Sequence, residues 1–200
     1  MDYIASIAAF AISSSITPGP NNIMIMTSSL NHGIRKSIPL LMGICIGFAM
    51  MILLVGLGLG QLFNLYPKLI FAIKIIGICY LLYLALLIAQ SKNINTREQS
   101  TEQISIIKGI FLQWINAKAW IVAVSAISAF TTFGSHYISQ SLTITSVFFL
   151  ASFPCGGVWL LFGSFLKHYL KSDFNRNLFN KTMALLLILS TLPIIKAFLF

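Results

Sequence analysis

Long apolar stretches separated by short polar connections make up most of this chain of 200 residues. A helix needs about 20 residues to cross the hydrocarbon core of a membrane, which is roughly 30 Å thick. Six stretches are long enough, and they predict membrane-spanning helices at residues 4–28, 38–60, 69–90, 105–130, 142–166 and 182–200. Because every connection between them is short, the sequence predicts a single membrane domain over residues 1–200.

The composition agrees with an all-α integral membrane protein. Hydrophobic residues make up 58% of the chain and charged residues only 8%, too few to cover the surface of a soluble domain. The net charge of +9 comes from short basic clusters between apolar stretches. No basic stripe interleaved with polar recognition residues is present, so we do not expect a nucleic-acid partner. The lipid bilayer is the expected surrounding.

Enzyme and metal signatures are missing from the sequence. Cys45, Cys79 and Cys155 lie in separate apolar stretches, which predicts neither a disulfide framework nor a metal cluster. There is no nucleophile elbow, no phosphate loop and no pair of carboxylates inside a helix. We therefore expect a protein without enzymatic activity, without a metal and without a cofactor.

The distribution of basic residues predicts the orientation in the membrane. Nine of the thirteen basic residues lie in the first, third and fifth connections: Arg35, Lys36, Lys92, Arg97, Lys108, Lys167, Lys171, Arg176 and Lys181. The second and fourth connections contain only Lys68. Connections rich in Lys and Arg remain in the cytoplasm, so both termini are predicted on the outer side.

Three helices in each half of the chain predict two halves of opposite orientation, which is the arrangement of an inverted repeat. A further parallel supports it: the first helix of each half has a polar interruption. The fold expected from these patterns is six transmembrane helices in an inverted three-plus-three repeat with a broken first helix.

The interruption in the first helix is the run Thr17-Pro18-Gly19-Pro20-Asn21-Asn22. Two prolines without backbone donors and one glycine break a helix. Pro20 suits the first turn of a new half-helix that points its N-terminus into the membrane interior. Such an N-terminus binds carboxylates, and Asn21 and Asn22 add side-chain hydrogen bonds. A packing kink without a ligand is the alternative.

The interruption in the fourth helix is Trp114-Ile115-Asn116-Ala117-Lys118. A helix that starts at residue 105 puts Lys118 about 20 Å along its axis, whereas a start near residue 110 makes this about 12 Å and lets the lysine reach the headgroups. If Lys118 is buried, it needs a partner. A substrate carboxylate, helix-end carbonyls and Asn21 are the alternatives.

Small residues and a proline predict two packing features. Gly43 and Gly47 form a smooth face on the second helix, for close packing or for a moving surface. The same face could serve one protomer or a homo-oligomer. Pro154 with Gly156 and Gly157 should loosen the fifth helix, as a static kink or as a hinge.

The chain resembles the LysE/RhtB family of bacterial amino-acid exporters. The most specific motif is Thr17-Pro18-Gly19-Pro20-Asn21 in a short protein with six apolar stretches. Further similarity lies in the turn with Gly33, Arg35 and Lys36 and in residues 43–60, 74–84, 108–111 and 114–119. The resemblance covers nearly the whole chain.

The resemblance implies a secondary transporter of the bacterial cytoplasmic membrane that exports amino acids or close derivatives, driven by the proton-motive force. It implies a broken-helix substrate site at Pro18, Gly19, Pro20 and Asn21, with Asn116 and Lys118 as the counterpart in the second half. The polar residues Thr17 and Asn22 beside the motif complete the expected substrate site. Ala117 replaces the family's proline, so we expect a shallower second break. Phe48 stands where many members have an acid.

Without an acid in any helix, proton coupling would use Lys118, a histidine such as His32 or His168, or the ammonium group of the substrate. Two other functions are left open. The chain could export a cation or another small solute, or it could be a non-transporting membrane subunit or sensor that docks a partner.

Overall fold

A computed structural model of the protein describes residues 2–59, 65–90, 105–132, 134–166, 169–170 and 172–199. All regular elements in these ranges are helices. They are α1 (Asp2–Ile16), α2 (Pro20–His32), α3 (Ile34–Leu54), α4 (Pro67–Gln90), α5 (Ile106–Ile115), α6 (Ala117–Phe130), α7 (Tyr137–Leu166) and α8 (Asp173–Leu199). A π-helical turn, Val55–Leu59, prolongs α3. The expected all-α class is confirmed for the described residues.

Two helices of the described residues are long and apolar enough to cross a membrane alone: α3 with its π-helical turn, and α7. The pair α5 and α6 is a third candidate if it counts as one span bent by 75°. These helices agree with a membrane protein. The arrangement of six spans in an inverted repeat stays a prediction.

The first apolar stretch is broken where its prolines predict a break. Helix α1 ends at Ile16, and α2 begins at Pro20. Gly19 precedes α2 with an extended backbone (φ −173°, ψ 179°), and Pro20 occupies the first helical turn. A proline fits there because that position needs no hydrogen-bond donor.

Several helix ends differ from the predicted bounds. Helix α8 begins at Asp173 rather than at residue 182, and α7 begins at Tyr137 rather than at residue 142. Hydropathy finds only the apolar part of a helix, whereas a helix continues to its cap. At α8 the cap is Ser172, whose hydroxyl accepts a hydrogen bond from the Asn175 N–H at 3.1 Å.

Some predictions concern residues outside the described ranges. The third connection, with Lys92 and Arg97, lies there, as do Gly60, Lys167, His168 and Lys171.

Three clusters of buried apolar residues hold the described helices together, and the largest one includes residues before and after the first break. Ile7 and Ala11 of α1 belong to a core with α3, α6 and α7. Ile25 of α2 belongs to a second core with α3 and α7. Helices α4 and α8 pack on each other. Ala85 and Ala184 connect this pair to α2.

Glycines permit close backbone contact between the two halves of the chain. A Cβ atom on Gly43 would overlap the backbone of Ile106, and one on Gly47 would lie 2.8 Å from the Cα atom of Ile110. Gly109 on α5 faces Gly43 in the same way. The backbones of α3 and α5 therefore touch, as close packing at Gly43 requires.

The proline and glycines of α7 have different environments. The helix is continuous through Pro154, so the expected loosening does not interrupt it. Gly156 packs against Leu41, whereas a Cβ atom on Gly157 would meet no atom within 4 Å. Close packing thus explains Gly156 but does not explain Gly157.

Candidate functional site

The N-terminus of α2 lies at the first break and has no side-chain cap. Its carbonyl at Gly19 accepts the first intrahelical hydrogen bond, from the N–H of Ile23 at 3.0 Å. The N–H groups of a first helical turn have no partner inside the helix and carry the positive end of its dipole. Gly19, Pro20, Asn21 and Asn22 line a pocket at this end.

Asn22 holds the two sides of the first break together. Its Nδ2 atom donates to the carbonyl oxygen of Ser15 at 2.7 Å and to that of Thr17 at 2.9 Å. Both oxygens belong to the end of α1, where carbonyls lack intrahelical partners. The first residues of α2 therefore cap the last residues of α1.

The second break is built on Asn116. Its backbone is extended (φ −80°, ψ 97°), and its Oδ1 atom accepts from the N–H groups of Lys118 at 3.1 Å and Ala119 at 3.4 Å. The side chain thus ends α5 and caps α6. Ala117 predicts a break shallower than in relatives; here the two helices bend by 75°. The asparagine cap breaks the helix without a proline.

A bridge of three amide side chains joins the two breaks. Asn21 Nδ2 donates to Gln113 Oε1 at 3.0 Å, and Gln113 Nε2 donates back to Asn21 Oδ1 at 3.1 Å. The same Oδ1 atom accepts from Asn116 Nδ2 at 3.0 Å. We call Asn21, Gln113 and Asn116 the amide bridge. Because Asn21 has three hydrogen bonds here, its first role is to connect the halves.

The sequence did not lead us to predict Gln113 as a residue of the site. It is fully buried, with 0% of its surface exposed. A lone glutamine in the apolar residues 106–115 is a signal that could have found it, since buried amides need partners.

Lys118 extends from α6 to the first break. Its Nζ atom donates to the Thr17 hydroxyl at 2.8 Å and to the Thr17 carbonyl at 3.2 Å. The sequence left three alternative partners for Lys118: a substrate carboxylate, helix-end carbonyls and Asn21. The structure contains one of them, because the Thr17 carbonyl follows the end of α1. A Cβ atom on Gly19 would lie 3.1 Å from Nζ, so the glycine makes room for the lysine.

The pocket lies between the two half-helix N-termini. Its empty space, including the open side, is about 540 Å³. The second break contributes Asn116, Lys118 and Ala119. Apolar walls come from Ile25, Ile44, Phe48 and Val122. One lysine, two positive dipole ends and no acid among the lining residues make this pocket attractive to an anion.

Most predicted site residues meet at this pocket. Thr17 contacts Lys118, and Gly156 lines the wall. Pro18 is exposed and is not among the residues that line the pocket. His32, at the other end of α2, has Nδ1 3.3 Å from the Ser28 carbonyl oxygen. Among the described residues, no group of three His, Cys, Asp or Glu could hold a metal ion.

Comparisons with known proteins point to one family. The family model described as LysE type translocator matches residues 12–194. A cysteine/O-acetylserine efflux protein of Klebsiella pneumoniae is 32% identical over 127 residues, which is 64% of each chain and thus less than two thirds of that relative. A protein of the same name from Escherichia coli O1:K1 is 28% identical over 181 residues, or 90% of each chain. No solved structure matches the chain significantly.

Proposed function

Because the chain belongs to the LysE type translocator family, we propose that it is a secondary transporter that exports amino acids or close derivatives from the cytoplasm. One observation carries this proposal. Two half-helix N-termini and Lys118 converge on one pocket that has no acid in its lining. Such a positive environment is what a substrate carboxylate needs inside a membrane.

The two N-termini have unequal roles in the proposed site. Asn116 already caps α6 with its side chain, whereas α2 has no such cap. A carboxylate would therefore bind at the first turn of α2, next to Asn21 and Asn22. Lys118 adds the charge, since Nζ has three donors and only Thr17 accepts from it among the described residues.

Small neutral amino acids are the substrates that we propose. The relatives from Klebsiella pneumoniae and Escherichia coli are named cysteine/O-acetylserine efflux proteins, after compounds of this kind. The pocket supports the choice because its walls are apolar and its net charge is positive, so a cationic side chain would be repelled.

For the architecture we propose six spans in two inverted halves, with both termini outside and the basic connections in the cytoplasm. The equivalent positions of the two breaks, one between α1 and α2 and one between α5 and α6, support the repeat. The halves would rock against each other to open the pocket to either side in turn. The close contact of α3 with α5 at Gly43 is one surface on which they could move.

Asp2 and Asp173 begin α1 and α8, but no acid lines the pocket, so proton coupling is proposed without one. Phe48, at the position where the family resemblance implies an acid in many members, is buried with its ring 5.7 Å from that of Phe148. Lys118, His32, His168 and the substrate's ammonium group remain the candidate carriers. Among the described ones, Lys118 is the one that lines the pocket.

Counterflow of labelled amino acid in liposomes tests the function. Purified protein alone should exchange cysteine, O-acetylserine or serine across the membrane, and an imposed pH gradient should accelerate export. A docking subunit or sensor gives no exchange. Exchange without any effect of the pH gradient would refute proton coupling, but it would still support the proposed transport function.

Replacing Lys118 tests the site. In Lys118→Met we expect substrate affinity to fall about 10- to 100-fold, because hydrogen bonds to charged groups contribute about 1.5–3 kcal/mol. Lys36→Met is the matched control, since Lys36 is exposed at the start of α3. Equal affinities of the Lys118 and Lys36 variants would contradict the proposed carboxylate site.

A further inference from the structure

The hydroxyl group of Ser15 is buried at the pocket and has no hydrogen-bond partner among the described residues. A serine in a helix can donate to the carbonyl three or four residues earlier. Its neighbours do so: Ser13 donates to Phe10 at 3.0 Å, and Ser14 donates to Ala11 at 3.2 Å. The Ala11 carbonyl is also the one four residues before Ser15. The carbonyl three residues before Ser15 is that of Ile12, and it accepts from Cys155 Sγ at 3.9 Å. Both local acceptors of Ser15 therefore already accept from another side chain.

Buried polar groups in folded proteins are nearly always hydrogen-bonded, and the exceptions need an explanation. For Ser15 the location gives one, because the residue lines the same pocket as the α2 N-terminus and Lys118. A bound molecule could supply the missing partner. The question is which part of an amino acid this hydroxyl would contact.

An amino acid has a carboxylate and an ammonium group, and the pocket provides for them unequally. The carboxylate has donors at α2 and at Lys118. The ammonium group needs acceptors, and the carbonyl oxygens that end α1 already accept from side chains. These bonds are Thr17 Oγ1 to Ser14 at 2.9 Å, Asn22 Nδ2 to Ser15 at 2.7 Å, Trp159 Nε1 to Ile16 at 3.0 Å, and Lys118 Nζ to Thr17 at 3.2 Å.

Of the neutral side-chain oxygens that line the pocket, two have no hydrogen bond among the described residues. One is the hydroxyl oxygen of Ser15. The other is Oδ1 of Asn22, because the Nδ2 atom of that side chain uses both of its hydrogens on the carbonyls of α1. Asn22 is 93% buried, since only 7% of its surface is exposed, and it also lines the pocket.

We propose that the Ser15 hydroxyl, together with the side-chain oxygen of Asn22, accepts hydrogen bonds from the ammonium group of the substrate. The assignment rests on the proposed function, because it takes the ligand to be an amino acid. It makes Ser15 a binding residue that distinguishes an amino acid from the corresponding simple carboxylic acid.

Equilibrium binding to the purified wild type and to Ser15→Ala tests the proposal. The ligands are alanine, serine and cysteine, each paired with the acid that lacks the amino group: propionate, 3-hydroxypropionate and 3-mercaptopropionate. In Ser15→Ala we expect Kd for the amino acids to rise about 10- to 100-fold, as for loss of a hydrogen bond to a charged group. Kd for the paired acids should not change. Ser13→Ala, whose hydroxyl is exposed and bonded to Phe10, should behave as the wild type.

The other results contradict either the assignment or the proposed function. Unchanged Kd for every ligand would mean that the hydroxyl does not contact the ligand. An equal rise for amino acids and paired acids would mean contact with the carboxylate or a structural defect. Binding with the expected pattern but without counterflow would refute the proposed export function. It would still support the contact between Ser15 and the ammonium group. A wild type that binds none of the amino acids would overturn both.

Discussion

The reciprocal pair of Asn21 and Gln113 connects two positions that are 92 residues apart in the chain. Replacing Gln113 by Leu removes both of its hydrogen bonds to Asn21 while keeping a side chain of similar size. The variant should lose stability because Asn21 Nδ2 is left without its acceptor. Asn21 Oδ1 still accepts the hydrogen bond from Asn116 at 3.0 Å, which limits the loss of stability.

The size of the effect follows from the two bonds, at 3.0 and 3.1 Å. A hydrogen bond contributes about 0.5–1.5 kcal/mol net, and those between membrane helices average about 0.6 kcal/mol. The coupling between Asn21 and Gln113 should therefore be about 1–3 kcal/mol. Asn21→Leu should be the more costly single change, because it leaves fully buried Gln113 and also the Asn116 amide without partners.

A double-mutant cycle measures this coupling. The free energy of unfolding in mixed micelles of detergent and SDS would be compared for wild type, Asn21→Leu, Gln113→Leu and the double variant. Gln113→Leu combined with Ser37→Ala is the control, because the Ser37 hydroxyl bonds to Ser28 and Gly33 instead. Additivity of the Asn21 and Gln113 changes to within about 0.5 kcal/mol would refute the bridge as an energetic link.

Two glycine predictions accompany this one. Gly43→Ala should destabilise the protein by about 1–3 kcal/mol, because the new Cβ atom overlaps the Ile106 backbone, whereas Gly157→Ala, in open space, should be neutral or slightly stabilising. Thermal unfolding of both variants checks this, and equal melting temperatures would contradict the close contact. Gly19→Ala has an allowed backbone but presses on Lys118, so we expect a loss of about 1 kcal/mol in substrate binding, or roughly fivefold in Kd. Titration with labelled substrate measures it, and an unchanged Kd would show that the lysine can move without consequence.

The sequence went far in predicting the positions of the helix breaks. Prolines and a glycine act on their own segment, so the break before Pro20 could be placed from local chemistry alone. Apolar stretches likewise located the helices, although their ends differed where caps such as Ser172 extended a helix beyond the apolar part. The family resemblance from the motif at residues 17–21 was confirmed by the match over residues 12–194.

The hydrogen-bond partners of the site residues could not be predicted from the sequence. Asn21 was predicted as a ligand for substrate, but three of its hydrogen-bonding positions are engaged by Gln113 and Asn116. Lys118 was left with several possible partners, and the fold selects Thr17, 101 residues away. The unpartnered hydroxyl of Ser15 gave no signal in the sequence, because its neighbours are serines of the same type.

The sequence by itself therefore determined an apolar helical chain with polar breaks, because hydropathy and proline geometry depend on a few consecutive residues. Only the tertiary structure decided that the breaks at Gly19 and Asn116 meet in one pocket and that amides satisfy one another across it. Hydrogen bonds between distant segments depend on where packing brings them. In this protein the glycine contact between α3 and α5 brings Gln113 and Lys118 to the first break.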